Sequence, residues 1–165
     1  MNNFNFLLAH PANLDEIMDI YHSLIGTPGC TWCLEYPDRA LVESDIAAGS
    51  LYILKKNDRI IAVAAAGAFD ELGHMSWTPK NPCELARIGV IPELQGRGIG
   101  ALMLNKVMQA AVERGFDGMI LLVSKTNPMA LSMYEKNGFE RRGETFMYGN
   151  DYWGYQRCFA PSSSR

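Results

Sequence analysis

Residues 95–100 read Gln-Gly-Arg-Gly-Ile-Gly, so glycines alternate at 96, 98 and 100 just before a helical pattern begins. Alternating glycines at a strand-to-helix turn let backbone N–H groups converge outward on one point. The partial positive charge of the helix start falls at that point, and a pyrophosphate would bind there with little side-chain help. A tight turn with close helix–sheet packing would also use glycine, but three in alternation beside Gln95 and Arg97 exceed what a turn needs. The frame Gly96-Arg97-Gly98-Ile99-Gly100-Ala101 also fits G-x-G-x-x-A, a dinucleotide fingerprint. That fingerprint requires an acidic residue about 20 positions on, at the end of the next strand. Asp117 has the separation but precedes that strand, which ends in Ser124-Lys125-Thr126. A Walker loop is excluded because no G-K-[ST] follows.

The elements around the loop are legible from periodicity. A strand is expected over 4–9. A helix follows from Asn13, with Leu14, Ile17, Met18, Tyr21 and Leu24 on one face and Gly26 at its end. A second helix is expected from about Pro37 to Ala48. "LYILKK" and "RIIAVAAAGAF" read as a hairpin around Asn57-Asp58. Residues 83–91 form a fourth strand that leads into the glycine turn. The helix beyond it carries Ile99, Leu102, Met103, Val107 and Ala110 on one face, with Gly115 past its end. "GMILLVS" is the near-continuous apolar run of a strand covered on both faces. Asn127 caps a helix with Pro128 at its first position and Gly138 beyond it. Strands around 139–148 and 152–159 close the chain. The order β-α-α-β-β-β-α-β-α-β-β predicts an α/β (α+β) fold with a mixed sheet and helices on both faces. No linker or repeat interrupts it, so residues 1–160 are expected to be one domain, with 161–165 a disordered tail.

Composition narrows the function. The chain has 165 residues, 48% hydrophobic and 20% charged, with a formal charge of −3. No basic excess is present to release counterions, so a nucleic-acid partner is not expected. No stretch is long and apolar enough for a membrane span or a signal peptide, so a cytoplasmic location is expected. Cys30-Thr31-Trp32-Cys33 is a C-x-x-C, but no second pair or H-x₃₋₅-H accompanies it, and no strand leads into it. Two loop thiols are the reading, and no metal is expected.

"LARIGVIPELQGRGIGALM" resembles motif A of the GCN5-related N-acetyltransferase (GNAT) superfamily, whose signature [Q/R]-x-x-G-x-[G/A] becomes Gln95-Gly96-Arg97-Gly98-Ile99-Gly100. "LLVSKTNPMALSMYEKNGFE" resembles the motif that follows, with Asn127, Tyr134 and Asn137-Gly138-Phe139 in their places. The resemblance implies a single-domain fold whose central mixed, mostly antiparallel sheet has six to seven strands and about four flanking helices. Strands four and five splay apart. It also implies acetyl-CoA as cosubstrate, with its pyrophosphate on the glycine loop and its pantetheine arm along Ile88, Gly89 and Val90. A bulge in that fourth strand would aim an N–H at the thioester carbonyl, and Gly89 would make a bulge easy. Asn127 would lie near the pantetheine as well as capping its helix.

The implied reaction is direct attack of a neutral amine on the thioester, which needs a base, carbonyl polarisation and an acid. Tyr134 matches the family's acid, since a phenol is protonated at neutral pH, although packing on its helix face also accounts for it. Glu84, eleven residues before Gln95, stands where histone-type members place a glutamate base. A solvated glutamate near a strand end is the alternative, and His74, Asp151 or water remain open as bases. Ribosomal-protein members place a glutamate on the fifth strand; Leu121, Leu122 and Val123 stand there, which counts against that substrate class. Acceptor specificity would come from loops 26–37, 70–82 and 148–153. Trp32, Glu35, Tyr36, Trp77, Asp151, Tyr152 and Trp153 suit a cationic amine there through cation–π contact and charge, or serve as half-buried anchors. The expected function is acetyl transfer to a primary amine of a small molecule or peptide. A non-catalytic acyl-CoA-binding or sensing module is the alternative, and the aromatic C-terminal hairpin offers a surface for a homodimer.

Overall fold

The computed structural model describes residues 3–160. The elements run β1 (Phe4–Leu8), α1 (Leu14–Leu24), α2 (Arg39–Ala47), β2 (Leu51–Lys56), β3 (Arg59–Gly67), β4 (Pro82–Val90), α3 (Ile99–Glu113), β5 (Gly118–Ser124), α4 (Pro128–Lys136), β6 (Glu140–Met147) and β7 (Asn150–Cys158). Two short 3₁₀ turns precede α1 and α3. This is the expected order, and the strands lie as β1-β2-β3-β4-β5-β7-β6 in a seven-stranded sheet. Residues 161–165, expected to be a disordered tail, lie outside the described residues.

The chain forms two compact units. Among the described residues, one holds 3–66 together with Ala86–Val107; the other holds Gly67–Leu85 and 108–160. In the first unit β1, β2 and β3 pair antiparallel. Asn57 and Asp58 both take positive φ, 52° and 69°, the conformation a two-residue hairpin turn of matching twist requires. β3 is buried from Ile60 to Gly67, and α1 turns Ile17, Met18, Tyr21 and Leu24 inward. The side chain of Asp38 caps α2, accepting from Leu41 N at 2.9 Å, so the helix starts after Pro37 rather than on it.

In the second unit β4 and β5 pair in parallel over Pro82↔Gly118, Cys83↔Met119 and Glu84↔Ile120. β4 continues past this ladder to Val90 and β5 to Ser124. β5 is buried along nearly its whole length and pairs antiparallel with β7 from Gly118 to Ser124, while β6 lies outside β7. Asp117 accepts from Lys80 N and Asn81 N, both at 2.9 Å, and so fastens the end of the 70–82 loop. Its carboxylate is thereby committed at the start of β5, not at the strand end where a dinucleotide fingerprint requires its acidic residue. Among the described residues, no helix is long and apolar enough to cross a membrane.

Candidate active site

In the first unit the chain passes from β4 through Ile91 and a 3₁₀ turn (Pro92–Leu94) into the glycine loop and α3. Gly96 and Gly98 have φ of +76° and +82°, and a Cβ built on either would meet nothing within 4 Å. Conformation, not crowding, is therefore what requires glycine here, and the space over the loop is open. The carbonyl of Gly98 accepts from Leu102 N at 3.0 Å, making Gly98 the residue that caps α3. The N–H groups of Ile99, Gly100 and Ala101 then belong to a first turn that supplies no acceptors of its own. Gln95 Nε2 donates to the Val90 carbonyl at 3.1 Å, so this glutamine braces the loop against the end of β4. Arg97 is exposed beside the glycines.

The left-handed backbone in β4 is at Arg87, with φ of +53°, not at Gly89, where a bulge was expected to be easy. Buried partners hold Arg87 there. Its guanidinium meets Asp45 of α2 through Nε–Oδ2 at 3.1 Å and Nη2–Oδ2 at 3.0 Å, with the two side chains 2% and 6% exposed. Nη1 donates to the Tyr36 hydroxyl at 3.0 Å, and the Tyr21 hydroxyl donates to the Arg87 carbonyl at 3.0 Å. Gly89 serves close approach instead: a Cβ there would sit 2.5 Å from Leu24 Cδ1 and 3.5 Å from the Trp32 ring. Sequence reasoning passed over Arg87, Asp45 and Tyr21 as functional candidates. The available signal was a lone arginine inside the apolar run "CELARIGV", since a buried charge must find a partner.

In the second unit Tyr134 is the buried residue of α4, 4% exposed, with its ring edge-on to Phe139 at 5.5 Å. Burial raises its hydroxyl pKa above the ordinary phenol value. Among the described residues, its hydroxyl has no hydrogen-bond partner. Asn127 caps α4, its Oδ1 accepting from Ala130 N at 3.2 Å, which leaves its amide N–H groups available to a ligand. Glu84 is 7% exposed, and both its carboxylate oxygens accept from Glu71 N at 3.1 Å. Desolvation raises its pKa, against the lowering effect of those backbone donors. Glu84 therefore fastens the start of the 70–82 loop, a partner its sequence neighbourhood did not reveal.

The other base candidates lie on the surface: His74 Nε2 is 3.1 Å from Thr145 Oγ1, and Asp151 is exposed in β7. Several aromatics suggested for acceptor binding are occupied within the chain. Trp77 Nε1 donates to the Leu72 carbonyl at 2.8 Å. Trp153 already has Lys125 Nζ 4.1 Å and Arg141 Cζ 4.0 Å from its ring centre. Trp32 meets Tyr21 edge-on at 5.2 Å. Glu35 and Tyr36 are exposed, and Tyr152 is half-buried. Cys30 and Cys33 are free thiols, and no cluster among the described residues could hold a metal.

Comparison with known proteins places the chain in a family and matches its fold. Residues 17–139 match the model of the Acetyltransferase (GNAT) family. A mycothiol acetyltransferase from Paenarthrobacter aurescens is 32% identical over 98 residues, 54% of this chain and 29% of that protein. N-acetyltransferase family 8 member 2 from Rattus norvegicus is 24% identical over 61% of this chain and 43% of its own length. The matched region thus spans less than half of either relative. Among solved structures, a GNAT-family acetyltransferase from Streptococcus agalactiae superposes with a TM-score of 0.82 at 20% identity, covering 95% of this chain and 96% of its own. An acetyltransferase from Salmonella typhimurium, solved with its cofactor acetyl-CoA, gives 0.74 at 18% identity, over 99% and 98% of the two chains.

Proposed function

Since the chain belongs to the Acetyltransferase (GNAT) family, we propose that it transfers the acetyl group of acetyl-CoA to a primary amine of a small molecule or peptide. The observation that carries this reading is the glycine loop. Left-handed Gly96 and Gly98 open onto free space at the start of α3, which is the shape and the polarity a pyrophosphate needs. Gln95, Gly96, Arg97, Gly98, Ile99 and Gly100 would hold the pyrophosphate, and Ile88, Gly89 and Val90 the pantetheine arm. Asn127 would meet that arm through the side-chain N–H groups its capping bond leaves over.

Acetyl-CoA supplies an activated acyl carbon on a sulfur leaving group. The acceptor nitrogen forms a bond to that carbon and gives up a proton, the carbon–sulfur bond breaks, and the departing thiolate takes a proton. Tyr134 would donate the last proton. Its buried phenol stays protonated well above neutral pH and makes no competing hydrogen bond among the described residues. Glu84 would accept the amine proton, directly or through water, using lone pairs that Glu71 N and Leu72 N leave free.

Glu84→Gln separates the base from the loop anchor. As the base, Glu84 must be ionised, so kcat/KM falls as pH drops through its carboxyl pKa, which burial places above the ordinary carboxylate value. The glutamine variant is expected to lose about 100-fold in kcat together with that acid limb. Wild-type turnover and an unchanged acid limb would leave Glu84 only its hold on residues 71 and 72.

The function itself is tested by thiol release from acetyl-CoA across a panel of small amines and short peptides, beside thermal shifts with acetyl-CoA and with NAD. Turnover of at least one amine and stabilisation by acetyl-CoA alone are expected. Stabilisation by acetyl-CoA without turnover of any amine would favour a sensing module. The existing bonds of Glu84 to the 70–82 loop are the feature that keeps that second reading in view.

A further inference from the structure

Arg87 combines three features that rarely coincide: it lies in a strand, it is buried, and it is a non-glycine residue in left-handed backbone. Such a conformation is strained for a residue with a side chain and persists only where its surroundings over-determine it. The surroundings here come from three separate segments. Asp45 of α2 takes the guanidinium on two nitrogens, Tyr36 takes Nη1 at 3.0 Å, and Tyr21 of α1 donates to the Arg87 carbonyl at 3.0 Å. A trans peptide directs its C=O and N–H to opposite sides. By fixing the Arg87 carbonyl toward α1, Tyr21 therefore also fixes the Ile88 N–H in the opposite direction. Ile88 opens the segment 88–90 that would carry the pantetheine arm.

We propose that Arg87 is a positioning residue for acetyl transfer: its ion pair with Asp45 and its hydrogen bond to Tyr36 hold the Arg87–Ile88 peptide in its reactive orientation and tie it to loop 26–37. The inference rests on the acetyltransferase reading above. It gives loop 26–37, one of the segments suited to acceptor recognition, a direct line to the acyl-binding strand, because Tyr36 contacts the same guanidinium that sets the kink. A guanidinium can serve Asp45 and Tyr36 at once through its fixed fork, whereas an ammonium is a single point donor.

The test compares Arg87→Lys and Tyr36→Phe with Arg39→Ala, which breaks an exposed ion pair with Asp15 at the start of α2. Steady-state kinetics are measured with an amine that the wild type turns over, alongside direct titration of acetyl-CoA and circular dichroism. Arg87→Lys is expected to lower kcat about 100-fold, the loss expected from a small misplacement of a reacting group. Tyr36→Phe is expected to lower kcat about tenfold, the scale of one hydrogen bond to a charged group. Both should leave the acetyl-CoA dissociation constant within about threefold, the pattern of an interaction felt mainly in the transition state. Arg39→Ala should match the wild type. Tyr36 is 39% exposed, so its phenylalanine variant keeps the test alive even where the lysine variant fails to fold. Unchanged kcat in folded Tyr36→Phe, or kcat losses that merely follow the folded fraction, would overturn the inference while wild-type turnover upholds the acetyltransferase reading. A wild type that turns over no amine would sink both.

Discussion

Gly98→Asp is expected to cripple acetyl-CoA binding in a protein that still folds. Nothing lies within 4 Å of a Cβ at Gly98, so the new side chain displaces no neighbour. Its backbone must keep φ of +82°, which costs a non-glycine residue about 1–2 kcal/mol. Aspartate is among the residues that tolerate this region best, and its carboxylate can reach N–H groups of the first turn of α3. That satisfaction is also what excludes the ligand. The carboxylate takes the donors a pyrophosphate would use and adds a like charge where the helix had offered a positive field. Affinity is expected to fall at least about 100-fold, two N–H contacts to an anion being worth that much together. Titration calorimetry reads the affinity and circular dichroism the fold. A folded variant with acetyl-CoA affinity within threefold of wild type would contradict the assignment of the loop.

Tyr134→Phe is expected to lower kcat by about 100-fold, the usual weight of a general acid, and to leave acetyl-CoA affinity within about threefold. The substitution keeps the ring edge-on to Phe139 and removes one oxygen that bonds to no group among the described residues. No partner is stranded, so the thermal midpoint should hardly move. Tyr155 and Tyr21 mark the contrast. The Tyr155 hydroxyl donates to Glu135 at 2.6 Å and accepts from Arg141 at 3.0 Å, and that of Tyr21 donates to the Arg87 carbonyl; these are structural hydroxyls. The pH profile supplies a second readout. An acid must be protonated to act, and burial raises the pKa of Tyr134, so kcat should hold through the ordinary phenol range and fall only above it. Undiminished turnover in the phenylalanine variant would remove Tyr134 from the reaction.

What could be read from the residues followed from how local the cause was. The hairpin at Asn57-Asp58, the cap at Asn127 and the glycine turn at Gly96 and Gly98 each depend on a few adjacent residues, whereas the Asp38 cap that starts α2 after Pro37 came only with the structure. The β5 run was recognisable because a strand buried on both faces can spare no polar position. Glu84 was recognisable only as a carboxylate on a strand. Its hold on Glu71 N joins residues thirteen positions apart across the 70–82 loop, and no periodicity encodes where a loop backbone will turn its donors.

The sequence alone therefore determined the order of the elements and the glycine turn that precedes α3, since propensity, capping and glycine conformation act within a few residues. Tertiary structure decided which side chains are left over for chemistry. It occupied Trp77 and Trp153 with partners of this chain, gave Glu84 a loop to hold, and left the Tyr134 hydroxyl without a hydrogen-bond partner among the described residues. It also moved the kink of β4 from the permissive Gly89 to Arg87. The reason is energetic: a buried guanidinium with no partner is too costly to exist, and only a folded α1, α2 and loop 26–37 can supply the partners that hold it in left-handed backbone.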